Sequence, residues 1–284
     1  MKHKYIQIAI CSCFFILATY TGLAQEIIDN TKFRASYLFL YKTNPEQTEY
    51  AKTDLMYLDI GSNTSKFYSQ YEQIRDSVKM EGINQGLSPY EIIEKNRYLK
   101  KGAKSIVYKL MMDKKIYVTN GLVDYYCYAE QLSIPIWVVS QSKKEIAGYV
   151  CREATTNYLG RKWTVCFTQE IPLNHGPWKL WGLPGLIVEA FDEERYFHFL
   201  LQGFETLKYK MPLILKKETL TGVPYTTVTK REFQKLEKLF YTDFVEFTRL
   251  FIMEGKGTIF LDQEQKYQQF RKKGGLSYIP LEPY

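Results

Sequence analysis

Pro172, Pro177 and Pro184 interleave with Gly176, Gly182 and Gly185 in the stretch from Glu170 to Glu189. Proline lacks a backbone N–H and glycine has no side chain to pack, so neither a regular helix nor a central strand runs through such a segment. The chain must cross over or turn here. In Leu183-Pro184-Gly185-Leu186 the proline stands where φ near about −65° is wanted and the glycine where φ is positive, the pattern of a type II turn. That turn delivers the chain into a strand starting at Leu186. Trp178 and Trp181 fall between the two turn clusters, three residues apart. They share a face if the piece makes a helical turn and point apart if it is extended. Read as function, these two with His175, and with Trp163 upstream, are candidate ligand-binding residues, an aromatic platform for sugar, lipid or peptide. Read as structure, they plug one end of a sheet, the commoner fate of tryptophan.

Around this segment the sequence is dominated by short runs of strand type. These are Lys32 to Tyr41, Asp54 to Ile60, Lys66 to Ser69, Ser105 to Met112, Lys115 to Thr119, Asp124 to Ala129, Ile134 to Val139, Ala147 to Thr155, Lys162 to Gln169, Leu186 to Phe191 and Arg195 to Gln202. In the hairpin around Asp113-Lys114, Ile106, Tyr108, Leu110 and Met112 share a face. Short strands with turns and few helices between them predict antiparallel pairing. Three helices interrupt the pattern. One covers Ser69 to Met80. A second starts at Ser88-Pro89-Tyr90-Glu91, which supplies a cap, a proline at the first helical position and the capping glutamate. The third begins with the capping box of Thr229 and Glu232, carries Phe233, Leu236, Leu239, Phe240, Phe244, Phe247, Leu250 and Phe251 at helical spacing, and stops near Gly255. Asp243 with Glu246 allows a break near Thr242.

The start of the chain has the layout of a secretory signal at residues 1–24. Lys2, His3 and Lys4 form a basic head, an apolar run extends from Ile8 to Ala18, and Gly22 and Ala24 are the small residues before a cut at Gln25. The apolar run is shorter than the roughly 20 residues of a membrane span. No later segment is apolar enough to span, so one domain over residues 25–284 without a transmembrane segment is expected, exported to the periplasm, the outer-membrane surface or the medium. Cleavage lowers the formal charge from +7 to +5 by removing Lys2 and Lys4. The remaining bases are scattered, which argues against nucleic acid as a partner. It also leaves Cys127, Cys151 and Cys166, with no Cys-x-x-Cys pair to suggest zinc or redox chemistry. Cys151 and Cys166 fall on two runs joined around Leu159-Gly160. Whether they form a disulfide or stay as buried thiols depends on register.

Catalytic signatures are absent from the sequence: no nucleophile elbow, no metalloprotease helix, no glycine-rich phosphate loop. No catalytic residue, metal or cofactor is therefore assigned. His175 is the acid or base candidate within the unusual loop, and Glu170 and Glu189 bracket the tryptophans as a carboxylate pair, the basis of an alternative reading as a secreted hydrolase. The 45 aromatic residues (Trp 4, Tyr 24, Phe 17) instead suit contact surfaces with one wet edge. The leading expectation is a non-catalytic protein that binds a protein, carbohydrate or apolar ligand in the cell envelope. A structural accessory of an outer-membrane uptake system is the third reading.

The run Gly182-Leu183-Pro184-Gly185-Leu186-Ile187 is the hexapeptide that names the GLPGLI family of exported proteins, found mainly in Bacteroidetes. The chain resembles that family elsewhere too. The matching pieces are Gly148-Tyr149-Val150-Cys151-Arg152-Glu153-Ala154, Gly160-Arg161, Glu170-Ile171-Pro172 with Gly176-Pro177-Trp178, and Tyr278-Ile279-Pro280-Leu281-Glu282. The last has Ile279 and Leu281 where the family pattern has Asn and Ile, and Cys166 stands where the family usually has an aromatic residue followed by Thr-Pro. The resemblance implies a β-rich exported protein of unknown function with no agreed catalytic residues, and gives Gly182, Pro184 and Gly185 a structural role. For architecture the expectation is α+β, predominantly antiparallel: a curved sheet or half-barrel covered by C-terminal helices, with the helix from Thr229 as the main lid.

Overall fold

The alternating runs pair into one open sheet of twelve strands. The computed structural model describes residues 26–244, 246, 247, 249 and 278–283. The expected signal segment 1–24, and the expected helix residues Leu250 and Phe251 with the stop at Gly255, lie outside the described residues. In chain order the elements are β1 (Glu26–Tyr41), β2 (Lys52–Ile60), β3 (Thr64–Ser69), α1 (Gln70–Asn84), α2 (Pro89–Asn96), β4 (Ile106–Leu110), β5 (Lys115–Gly121), β6 (Tyr125–Gln131), β7 (Val138–Ile146), β8 (Tyr149–Tyr158), β9 (Arg161–Thr168), β10 (Leu186–Asp192), β11 (Phe197–Leu215), β12 (Thr226–Thr227) and α3 (Lys230–Thr242). The strand order is β12-β6-β5-β4-β3-β2-β1-β11-β10-β9-β8-β7. Every pairing is antiparallel except that of β12 with β6.

The local rules explain most boundaries. Ser69, Ser88 and Thr229 each accept a hydrogen bond from the backbone N–H three residues on, capping α1, α2 and α3. Leu159 and Gly160 both have positive φ, 51° and 79°, as the tight turn between β8 and β9 requires. Asp243 ends α3, and its carboxylate accepts from the N–H of Glu246, the break anticipated near Thr242.

Three expectations are corrected. Residues 132–137 are irregular and β7 starts at Val138, because Pro135 lacks an N–H and because Ser133 and Trp137 are committed to Trp181. Met112 belongs to the turn and is exposed. Ile106, Tyr108 and Leu110 do share a face, but they pack on a second, smaller cluster with Leu213 and Leu215, while Val107 joins the main core. β11 continues well past Gln202. Among the described residues its far half pairs only with β1, and a one-sided strand tolerates Pro212.

The sheet is strongly curved. β4 and β10 are five places apart in strand order, a separation of roughly 24 Å across a flat sheet. Yet Lys109 of β4 and Ile187 of β10 touch the same segment, residues 170–185. Register shifts at Ile27/Asp29, Thr31/Phe33 and Ser36/Tyr37 supply part of the bend along the β1/β11 pair. The bend forms a trough, and the sheet stays open. The segment 170–185 packs into the trough through Ile171, Trp178, Leu180 and Leu183, and the apolar face of α3 packs against the same core through Phe233, Leu236, Leu239 and Phe240. α3 meets the sheet at β6, where buried Phe233 lies 6.1 and 5.5 Å from the rings of Tyr126 and Tyr128.

The C-terminal piece 278–283 docks on β9, α3 and the loop. Buried Arg161 donates to the carbonyls of Pro280 and Leu281 and pairs with buried Asp192 at 2.9 Å. Tyr278 stacks on Tyr241 of α3 at 4.5 Å. Replacing Arg161 by leucine strands the Asp192 charge in the interior and should cost about 3–5 kcal/mol in denaturant unfolding. The double replacement Arg161→Leu with Asp192→Leu should recover part of that loss. A single variant as stable as the native protein would show that the pair holds nothing.

Candidate functional site

The segment 170–185 folds as an irregular loop whose polar backbone is satisfied from outside. The N–H of Leu186 donates to Ile171, that of Ile187 to His175 and that of Gly182 to Asn174, so the incoming limb of the loop is tied to its outgoing limb. The expected type II turn does not form. Gly185 N–H donates to the carbonyl of Leu183 across Pro184, a three-residue turn, and Leu186 N–H goes to Ile171 instead. Gly185 is still required, for a different reason: a Cβ there would stand 2.0 Å from the carbonyl oxygen of Thr168. Trp178 has a φ of 53°, a left-handed conformation costly for a large side chain and held by its packing.

The four candidate ligand-binding side chains are buried. Trp163 is fully inaccessible, Trp178 is 6% exposed, Trp181 7% and His175 8%. Trp163 and Trp178 lie against one another at 5.6 Å. The indole of Trp181 donates to the carbonyl of Ser133, and Trp137 donates to the carbonyl of Trp181, each at 2.9 Å. An aromatic platform needs open ring faces, and these rings are closed by protein. They fill the trough.

Lys109, which the sequence did not single out, is the unexpected member. It projects from β4 into the core beneath the loop, and its ammonium donates to the carbonyls of Gly176 and Leu180 at 3.1 and 3.2 Å. Burial lowers its pKa to about 7. Burial, and then the neighbouring Lys109, drive His175 down to about 3, so its ring is neutral at ordinary pH. Among the described residues its Nδ1 has no hydrogen-bond partner. Lys179, also from the loop and 1% exposed, pairs with Glu130 of β6 and with Glu282, and Lys230 of α3 pairs with the same two carboxylates. Burial alone would raise Glu130, but Lys179 and Lys230 hold it below the usual carboxylate range.

The candidate acid–base groups do not converge. Glu170 is exposed, with one carboxylate oxygen accepting from the N–H of Val150. A register shift between Ile187 and Glu189 sets Ile187 opposite Phe167 and Glu189 opposite Cys166, and because Phe167 and Cys166 are adjacent on β9 and point to opposite faces, Glu189 points away from the loop that Ile187 touches. There it binds His198 at 2.9 Å, a contact that holds its pKa down. The cysteines are buried free thiols. The bridge weighed between Cys151 and Cys166 does not form, because the register sets Cys166 opposite Glu153 and leaves Cys151 on the diagonal, beyond disulfide reach. Burial raises Cys151 to about 11 and Cys166 to about 12, which keeps both as thiols. Among the described residues no three His, Cys, Asp or Glu side chains gather as a metal-ligand set.

A family model described as "Protein of unknown function (Porph_ging)" matches residues 160–189, which span the Gly160-Arg161 turn, β9, the loop and the hexapeptide. No curated protein matches the chain. Two solved structures are similar in part, those of PNGF-II in a P21 and in a C2 crystal form. Their identities are 12% and 11%, their TM-scores 0.47 and 0.46, and they cover 74% and 72% of this chain. The chain spans about a third of the length of those proteins, 34% and 32%. Among the described residues no helix is long and apolar enough to cross a membrane.

The buried neutral ring of His175 has a consequence for acid stability. The unfolded chain takes up a proton near pH 6.5 and the folded chain only near pH 3, so folding weakens as pH falls through that window. Replacing His175 by phenylalanine should flatten the loss of unfolding free energy between pH 6.5 and pH 3 by up to one proton's worth of slope. Identical slopes in the two proteins would contradict the burial of the ring.

Proposed function

We propose that this chain is an exported member of the GLPGLI family, a single domain over residues 25–284 that acts outside the inner membrane as a non-catalytic binding or envelope-accessory protein. The reading is supported chiefly by the separation of its acid–base candidates. His175 is neutral and closed in, Glu170 lies at the surface, and Glu189 faces the other side of the sheet. A hydrolase needs an acid or base within hydrogen-bond reach of a bound substrate, and none of the three shares a space with another. The leader-like residues 1–24 motivate export, and the hexapeptide with its flanking motifs motivates the family. The surface that meets a protein or carbohydrate partner lies outside the tryptophan cluster, since that cluster is used for packing.

The test combines location with activity. Cell fractionation with N-terminal sequencing should recover a chain beginning at Gln25 beyond the inner membrane, and the purified mature protein should retain an envelope component without turning it over. Hydrolysis of an envelope polymer that disappears in His175→Gln or Glu189→Gln would establish the hydrolase instead.

A further inference from the structure

The face of the sheet opposite the loop carries a cleft of about 140 Å³. Four pieces of the fold wall it: Lys66 and Tyr68 of β3, Glu72, Gln73 and Asp76 of α1, Thr119 and Asn120 of β5, and the passage after β11 with Lys216 and Tyr225. Lys104 also lines it, and Tyr125 and Tyr225 stack at 5.3 Å to stiffen one wall.

We propose that this cleft binds a small oxyanion group of phosphate or sulfate size, with Lys66, Lys104 and Lys216 as its cationic lining. The inference rests on the binding reading above and adds a place and a ligand chemistry to it. Charge carries it. The two acids that line the cleft are already matched: Glu72 pairs with Arg75 at 3.5 Å and accepts from the N–H of Gly102, and Asp76 pairs with Lys79 at 3.1 Å and Lys216 at 2.8 Å. Lys66 is half-buried; the carboxylates that act on it, its cross-strand partner Asp59 and Asp76, are each committed to other cations, Asp59 to Arg34 and Asp76 to Lys79 and Lys216. Its ammonium lies 4.3 Å from the ring of Tyr68, whose hydroxyl is taken up by Asp59 and Arg34. Burial, and then Lys216, pull Lys66 down to about 8, and burial lowers Lys104 as well. An ammonium with spare donors beside other cations is a destabilising arrangement that an oxyanion relieves, because charge-assisted hydrogen bonds replace repulsion. The volume admits the oxyanion group and a few waters, and the tyrosine wall offers a flat apolar face to whatever carries it.

Isothermal calorimetry of the mature protein with inorganic phosphate and inorganic sulfate should give saturable binding with a Kd on the order of 0.1–1 mM at low ionic strength. Glycerol 3-phosphate and glucosamine 6-sulfate form the two further arms, and the tighter of them identifies whether a phosphate ester or a sulfated sugar is the source. Lys66→Met should weaken phosphate by about tenfold or more. Lys104→Met, a second variant that leaves Lys66 in place, should weaken it less, and Lys115→Met at an exposed strand end should leave it unchanged. Circular dichroism checks that each variant is folded. Absence of saturable binding by the native protein, or native affinity in both folded cleft variants, overturns the assignment. Neither result touches the fractionation experiment, which tests the binding reading separately.

Discussion

A loop rich in proline and glycine has carbonyls that no ladder accepts, and when it is pressed into a protein's interior each needs a donor. Here the donor is a lysine from the sheet itself. The ammonium of Lys109 reaches the carbonyls of Gly176 and Leu180 from beneath, and it can do so because the sheet bends enough to bring β4 under a loop that leads into β10. An isolated ammonium in a core costs several kcal/mol. Two carbonyl acceptors and a pKa drawn down to about 7 offset part of that cost. Loop, lysine and curvature therefore depend on one another: a flatter sheet would leave the carbonyls bare, and a straight strand in place of the loop would leave the trough empty.

The charged networks around the trough follow from the same geometry. Lys179 of the loop joins β6 through Glu130, α3 through the carboxylates shared with Lys230, and the C-terminal piece through Glu282. Arg161 does the equivalent just before Glu282, donating to the carbonyls of Pro280 and Leu281 and pairing with Asp192. Segments far apart in sequence are thus stapled over one loop. The pieces quoted for the family resemblance, Gly160-Arg161, the hexapeptide approach and Tyr278 to Glu282, are brought together in this one assembly.

The periodic parts of the fold were legible in the sequence. Most strands, the helix starts at Ser88 and Thr229 and the turn at Leu159-Gly160 obey local rules of capping, alternation and φ preference, which need no knowledge of neighbours. What escaped was set by tertiary contact. The far half of β11, with its lysines and Pro212, reads as loop until one sees that β1 alone flanks it there. Gly185 is required by the close carbonyl of Thr168 and not by a type II turn, because the N–H of Leu186 finds Ile171 across the loop, a contact that no local pattern encodes. The sequence leaves the tryptophans either as a platform or as a plug, with packing the commoner fate, and Trp181 is tied down by Ser133 and Trp137, which belong to a different part of the chain. Lys109 and Lys66 look alike in sequence, each a lysine in an otherwise apolar or aromatic strand. Only the sheet's two faces separate them, one under the loop and one in an open cleft.

The central claim is that residues 170–185 are core and not a surface loop. Native-state hydrogen exchange on the amides of Leu180, Gly182, Leu186 and Ile187 tests it most directly, since each of them donates to a carbonyl of the loop itself. The account predicts that all four exchange as slowly as amides in the middle of β9 and β10. Exchange of these amides within seconds, while the strands remain protected, would contradict it.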